Sequence, residues 1–150
     1  MTRQISYPLS PEQAIPRIRA LLEEDIPCHL TVTGNSMRPF LRHQRDGVIL
    51  TPVSGEIRRG DILFYLRAPH APILHRVHRV EGDRLIMCGD AQTGLEPIAR
   101  AQVLGIVSHI KREDRVIPCT DRRLKLLVAL WMLLKPIRPY LLALPNKLKR

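Results

Sequence analysis

Ile73-Leu74-His75-Arg76-Val77-His78-Arg79-Val80-Glu81-Gly82-Asp83-Arg84-Leu85-Ile86-Met87-Cys88 is two apolar-rich runs joined by a glycine turn. A turn of that composition between such runs predicts a β-hairpin, with strands at 73–80 and 84–88. Side chains alternate along a strand, so His75 and Val77 share one face while Leu74, Arg76 and His78 share the other. His75 and His78 therefore point apart, and no H-x-x-H metal pair is expected. Whichever imidazole lies on the core side needs a hydrogen-bond partner. Arg76 and Arg79 read as solvated strand residues.

Outward from the hairpin, further short strands are predicted at 28–33, 48–52, 62–66, 103–110 and 116–119, with a turn or short helix at 34–41. Seven or so strands at short spacing predict a mainly β fold: a compact, partly closed, barrel-like domain. Before it, Ser10-Pro11-Glu12-Gln13 has the form of a helix start, with Ser10 as cap and Pro11 in the first turn. Ala14, Ile15, Ile18, Leu21 and Leu22 then recur at helical spacing to about Asp25, and Pro27 ends the helix. The expected organisation is an N-terminal helical extension at 1–27, a β-rich domain at 28–119 and a C-terminal helical segment at 120–150.

The 150 residues suffice for one domain with a real core. Of the residues, 45% are hydrophobic and only 4% aromatic, which weakens any reading based on stacking nucleic-acid bases. No nucleic-acid partner is expected. The net charge of +10 is uneven: residues 1–110 hold 13 Lys/Arg against 11 Asp/Glu, whereas 111–150 hold 11 against 3. Three widely spaced cysteines, Cys28, Cys88 and Cys119, suit neither a disulfide framework nor a zinc site. No metal or other cofactor is expected. Residues 1–9 lack the apolar run of a secretory signal or anchor, so the expected setting is cytoplasmic.

The basic segment is also apolar. Its longest uncharged run, 126–134, is nine residues, about 14 Å of helix at ~1.5 Å per residue. A hydrocarbon core is roughly 30 Å thick. Basic clusters flank the run at Arg122-Arg123-Lys125 and Lys147-Lys149-Arg150. An interfacial helix on an anionic membrane is expected through 122–150, with Trp131 and Tyr140 at headgroup depth and the protein on the inner membrane face. A helix folded back onto the β domain is the alternative.

Chemistry concentrates in Gly34-Asn35-Ser36-Met37-Arg38-Pro39. Serine is a poor nucleophile unless a base takes its proton. His75 follows at a distance in sequence, and an acid later in the chain would orient and stabilise the imidazole. Gly34 permits close approach of backbone and substrate, Pro39 stiffens the turn, and the Ser36 N–H can serve a developing oxyanion. Gly34, Asn35 and Met37 are the expected substrate and oxyanion neighbours. Asp90, in the Gly89-Asp90-Ala91-Gln92 turn, and Glu96, before Pro97, are the two candidates for the acid. Asp46 and Asp61 read as turn residues.

Together these pieces resemble the signal-peptidase superfamily of serine proteases. The resemblance rests on Ser36-Met37-Arg38-Pro39, Gly60-Asp61-Ile62, His75-Arg76-Val77, Gly89-Asp90 and a closing strand at 103–107, and it covers about residues 28–110. It implies a β-rich catalytic domain with endopeptidase activity on a leader- or signal-like peptide. Ser36 matches the nucleophile, and His75 stands where the archaeal and endoplasmic-reticulum branch has its histidine. No lysine precedes Lys111, so the Ser–Lys version of the site has no base here. Glu96 matches the third member of the triad and Asp90 the turn aspartate. Gly34 replaces the serine that often precedes the nucleophile by two residues. The rival expectations are a self-cleaving regulator, for which 27 leading residues are too few, and a catalytically inactive peptide-binding or membrane-adaptor module.

Overall fold

A computed structural model describes residues 3–4, 11–68 and 70–144. Ser10, Lys147, Lys149 and Arg150 lie outside them. The strands are β1 (Arg3–Gln4), β2 (Cys28–Thr31), β3 (Asp46–Thr51), β4 (Ile62–Arg67), β5 (Ala71–Glu81), β6 (Arg84–Cys88), β7 (Glu96–Ala99), β8 (Val103–Arg112) and β9 (Arg115–Pro118). The hairpin forms as expected: β5 and β6 pair antiparallel from Glu81↔Arg84 inward, with Gly82 at φ 58° in the turn.

All nine strands join one sheet in the order β1-β2-β3-β8-β4-β5-β6-β7, with β9 added to β8. Only the β1–β2 pair is parallel. No pairing among the described residues joins β7 back to β8 or β1, so the sheet is open. The mainly β class therefore holds, while closure into a barrel is not seen. Strand β7, which holds Pro97, was not among the expected strands. The proline lies at the sheet's edge, opposite Ile86, where a missing N–H is tolerated.

Both faces of the central strand β4 are covered. Ile62 and Phe64 enter one core cluster with Val48, Leu50 and Ile110. Leu63 and Tyr65 enter a second with Val77, Leu85, Met87 and Ile98. The helix α1 (Pro11–Glu23) closes the first cluster through Ile18 and Leu22. It packs tightly at Gly105, where an added Cβ would meet the Leu22 side chain at 2.9 Å and the Thr51 carbonyl oxygen at 3.0 Å.

The C-terminal segment folds back on the same cluster. Helix α2 (Arg122–Leu133) is capped by Asp121, whose side chain accepts the Leu124 N–H. A single 3₁₀ turn then leads into α3 (Arg138–Leu142). Val128 and Met132 are buried in the core. Trp131 is turned inward rather than free for headgroups: its Nε1–H donates to the Asp90 carbonyl at 2.7 Å. The opposite side of α2 is open, with Leu133 73% exposed. No described helix is long and apolar enough to cross a membrane.

The two sides of α2 should respond differently to truncation. Met132→Ala opens a cavity under the helix and is expected to cost about 2–4 kcal/mol in urea unfolding. Leu133→Ala is expected to change stability by less than about 0.5 kcal/mol. Equal effects would contradict the packing described.

Candidate active site

Ser36 stands on a turn anchored from below. Beyond β2 the chain bends at Gly34, whose φ of 85° suits glycine. The Gly34 N–H donates to His43 Nδ1 at 2.7 Å. Met37, Phe40 and Leu41 then plunge into the first core cluster, fixing the following residues. The Ser36 carbonyl accepts the Ala91 N–H at 2.8 Å. Ser36 is half-buried, and among the described residues its hydroxyl makes no hydrogen bond. Its own N–H is likewise unused there, so it is available to an oxyanion, whereas the Gly34 N–H is committed.

His75 lies on β5 opposite Leu63 and is 5% exposed. Its Nδ1 is 3.4 Å from the Tyr65 hydroxyl, which donates its proton to Glu96 Oε2 at 2.9 Å. Arg67 grips both Glu96 oxygens at 2.7 Å. Tyr65 has one proton and gives it to Glu96, so its oxygen is left to accept from His75 Nδ1–H. That tautomer leaves the Nε2 lone pair unprotonated, the state a general base requires. Burial, and then the Arg67 charge, hold His75 below its ordinary pKa, against opposing pulls from Glu96 and Asp90. Arg67 keeps Glu96 below the usual carboxylate range, and burial with the Glu96 bond pushes Tyr65 up. The resting state is thus a neutral imidazole, a neutral phenol and a charged carboxylate.

The two candidate acids part company. Glu96 reaches His75 through Tyr65. Asp90 turns to the other face of β5, where Arg76 forks onto both of its oxygens at 2.8 Å. Arg76 is therefore not a solvated strand residue. It is 5% exposed, donates a third bond to the Gly60 carbonyl and lies 5.2 Å over the Phe40 ring. Asp61 closes its turn by accepting the Arg58 N–H, as expected of a turn residue. Asp46 does so while almost wholly buried, accepting from Arg42 N–H and pairing with Arg45.

The turn at 89–92 connects these parts. Ala91 holds the Ser36 carbonyl, Trp131 holds the Asp90 carbonyl, and buried Arg138 donates to the Gln92 and Gly89 carbonyls. At Gly89 an added Cβ would lie 2.8 Å from the Ser36 carbonyl oxygen, so the approach of the two turns requires glycine. Tyr65, Arg67 and Arg138 were not singled out from sequence, and Trp131 was singled out only as a membrane-interface residue. Tyr65 was within reach, since it is two residues from Leu63, the partner of His75, and so shares its face.

Ser36 and His75 line one cavity of about 230 Å³ with Gly34 and Met37, walled by Ile15, Leu30, Phe64 and Leu74. Asn35 is exposed beside it. Along this cavity, residues 71–75 of β5 pair with β4 alone, because β6 joins only from Arg76. On the facing side β1 covers only Cys28 and His29 of β2 among the described residues. Such free strand edges accept an extended peptide by main-chain hydrogen bonding. Among the described residues no group of three or more His, Cys, Asp or Glu side chains is placed to hold a metal ion. No family model, curated protein or solved structure matches the chain.

The carboxylates are separable by stability. Asp90→Asn leaves Arg76 buried without its counter-charge and is expected to cost about 3–5 kcal/mol. Glu96→Gln breaks a pair open to solvent and should cost no more than about 1 kcal/mol. Urea titrations of both variants check this, and a larger loss for Glu96→Gln would contradict it.

Proposed function

We propose that this chain is a serine endopeptidase of the signal-peptidase type, acting on an extended leader- or signal-like peptide. The observation that carries the reading is that Ser36 and a buried, neutral His75 line one apolar cavity bordered by free strand edges. The mainly antiparallel sheet is open, and it is the mainly β class alone that agrees with that family's catalytic domain.

In this reading the substrate lies extended between β2 and β5 and places an apolar side chain in the cavity. Ser36 Oγ attacks the scissile carbonyl while His75 Nε2 takes its proton. The Ser36 N–H donates to the oxyanion. Collapse of the tetrahedral intermediate breaks the C–N bond, and His75 returns the proton to the departing amine. Water, deprotonated by the same nitrogen, then releases the acyl group from Ser36. Glu96 stabilises the imidazolium through the Tyr65 hydroxyl rather than by direct contact. No hydrogen bond joins Ser36 to His75 in the free protein, and such bonds commonly tighten only when substrate is bound.

That missing hydrogen bond is also what favours the second reading, an inactive module that binds peptides on the same edges. Catalysis separates the two. Against a library of extended peptides with apolar residues, Ser36→Ala and His75→Ala should each abolish cleavage while still folding, as their circular dichroism spectra check. Tyr65→Phe should lower kcat by roughly tenfold to a hundredfold with little change in KM. Peptide binding without cleavage by the wild type would support the inactive module instead.

The pH profile gives a further check. Protonated His75 cannot act as a base, and its pKa lies below the ordinary 6.5. The acid limb of kcat/KM is therefore expected to have its midpoint below pH 6.5, with activity retained above it. A midpoint above 6.5 would contradict the buried, neutral base.

A further inference from the structure

The outer side of the C-terminal helices carries a surface that peptide hydrolysis does not use. Leu126, Leu130, Leu133 and Ile137 follow one another at intervals of three or four residues, with Leu127 and Tyr140 beside them, and all are exposed. Leu126 is 63% and Tyr140 77% exposed. Single exposed leucines need no explanation, but a contiguous apolar row of this length marks an interaction site. It is a true outer face, since Val128 and Met132 of the same helix are buried and Trp131 and Arg138 are bonded to the 89–92 turn.

The charges around the row are predominantly basic, with Asp121 at the start of α2 and Asp61 in the adjoining hollow as the acids beside it. Arg122, Arg123 and Lys125 open α2, Lys135 follows it, and no Asp or Glu occurs between residues 122 and 150. Arg58 and Arg59, from the loop before β4, border the same hollow as Lys125 and Leu133 and extend the basic rim onto the sheet. A second copy of the chain is a poor occupant: a two-fold contact sets the same patch against itself, and here it would bring an excess of cations against cations, with only Asp61 and Asp121 near them. An anionic lipid surface satisfies both features, because headgroups neutralise the rim while the acyl boundary takes up the leucines. At twelve residues α2 spans about 18 Å, too short to cross a bilayer but long enough to lie along one.

We propose that the outer face of α2 and α3 docks the protein flat on an anionic membrane surface. The inner face stays on the sheet during docking, so the 89–92 turn and the Ser36 turn it holds remain assembled. This does not rest on the peptidase reading.

Co-sedimentation of the full chain with vesicles tests it. The wild type is expected to bind vesicles of phosphatidylglycerol mixed with phosphatidylcholine, to bind pure phosphatidylcholine vesicles at least about tenfold more weakly, and to be released as salt rises. Leu130→Glu/Leu133→Glu alters only exposed positions and should keep the wild-type melting profile while losing at least about tenfold in binding. Arg122→Gln/Arg123→Gln should weaken binding to the anionic vesicles with the fold intact. Failure of the wild type to bind anionic vesicles would overturn the proposal, as would undiminished binding by the leucine variant. A dimer in sedimentation velocity that the leucine variant dissociates would assign the face to a second copy and overturn it equally.

Discussion

The buried fork between Arg76 and Asp90 is the interaction on which the rest of the structure turns. Both partners are almost fully removed from water, so neither is stable there without the other. The pair fixes the 89–92 turn against β5. That turn then holds Ser36 from one side through Ala91, and receives Trp131 and Arg138 from the C-terminal helices on the other. Adjacent residues of one strand thereby serve two ends. His75 borders the cavity, and Arg76, on the other face of the strand, secures the turn that holds the Ser36 carbonyl.

The electrostatics follow from this division. On the Arg76 face the charges are buried and mutually cancelled. On the His75 face the carboxylate of Glu96 sits nearer solvent, is kept ionised by Arg67 and touches the imidazole only through the Tyr65 hydroxyl. An intervening phenol keeps full negative charge off the imidazole, so burial and the Arg67 charge prevail and hold its pKa down. In the proposed mechanism it would still pass part of the carboxylate's stabilisation to an imidazolium. The proposed chemistry needs both properties.

Much of this was readable in the chain, and the failures have physical causes. The Glu81-Gly82-Asp83 turn between alternating runs identified the β5–β6 hairpin, and the Ser36 turn and the first helix were evident from glycine, proline and spacing. Arg76 was misread because alternation in an antiparallel strand suggests one wet face. Here α2 and the 34–41 loop cover that face, a long-range fact that no local pattern carries. The choice between Asp90 and Glu96 was open for the same reason, since it depends on which face of the sheet each carboxylate meets. Trp131 was read as a membrane anchor from its apolar neighbours, but its indole N–H found a carbonyl forty-one residues earlier in the chain. Only the outer half of that helix leaves its leucines exposed.

The central claim is that His75 activates Ser36. Incubation of the wild-type chain with a serine-directed fluorophosphonate, read by intact mass and peptide mapping, tests it most directly. A single adduct on Ser36 is expected, formed more slowly as pH falls through the His75 titration and absent in His75→Ala. An adduct on another residue, or unchanged labelling of Ser36 in His75→Ala, would contradict it.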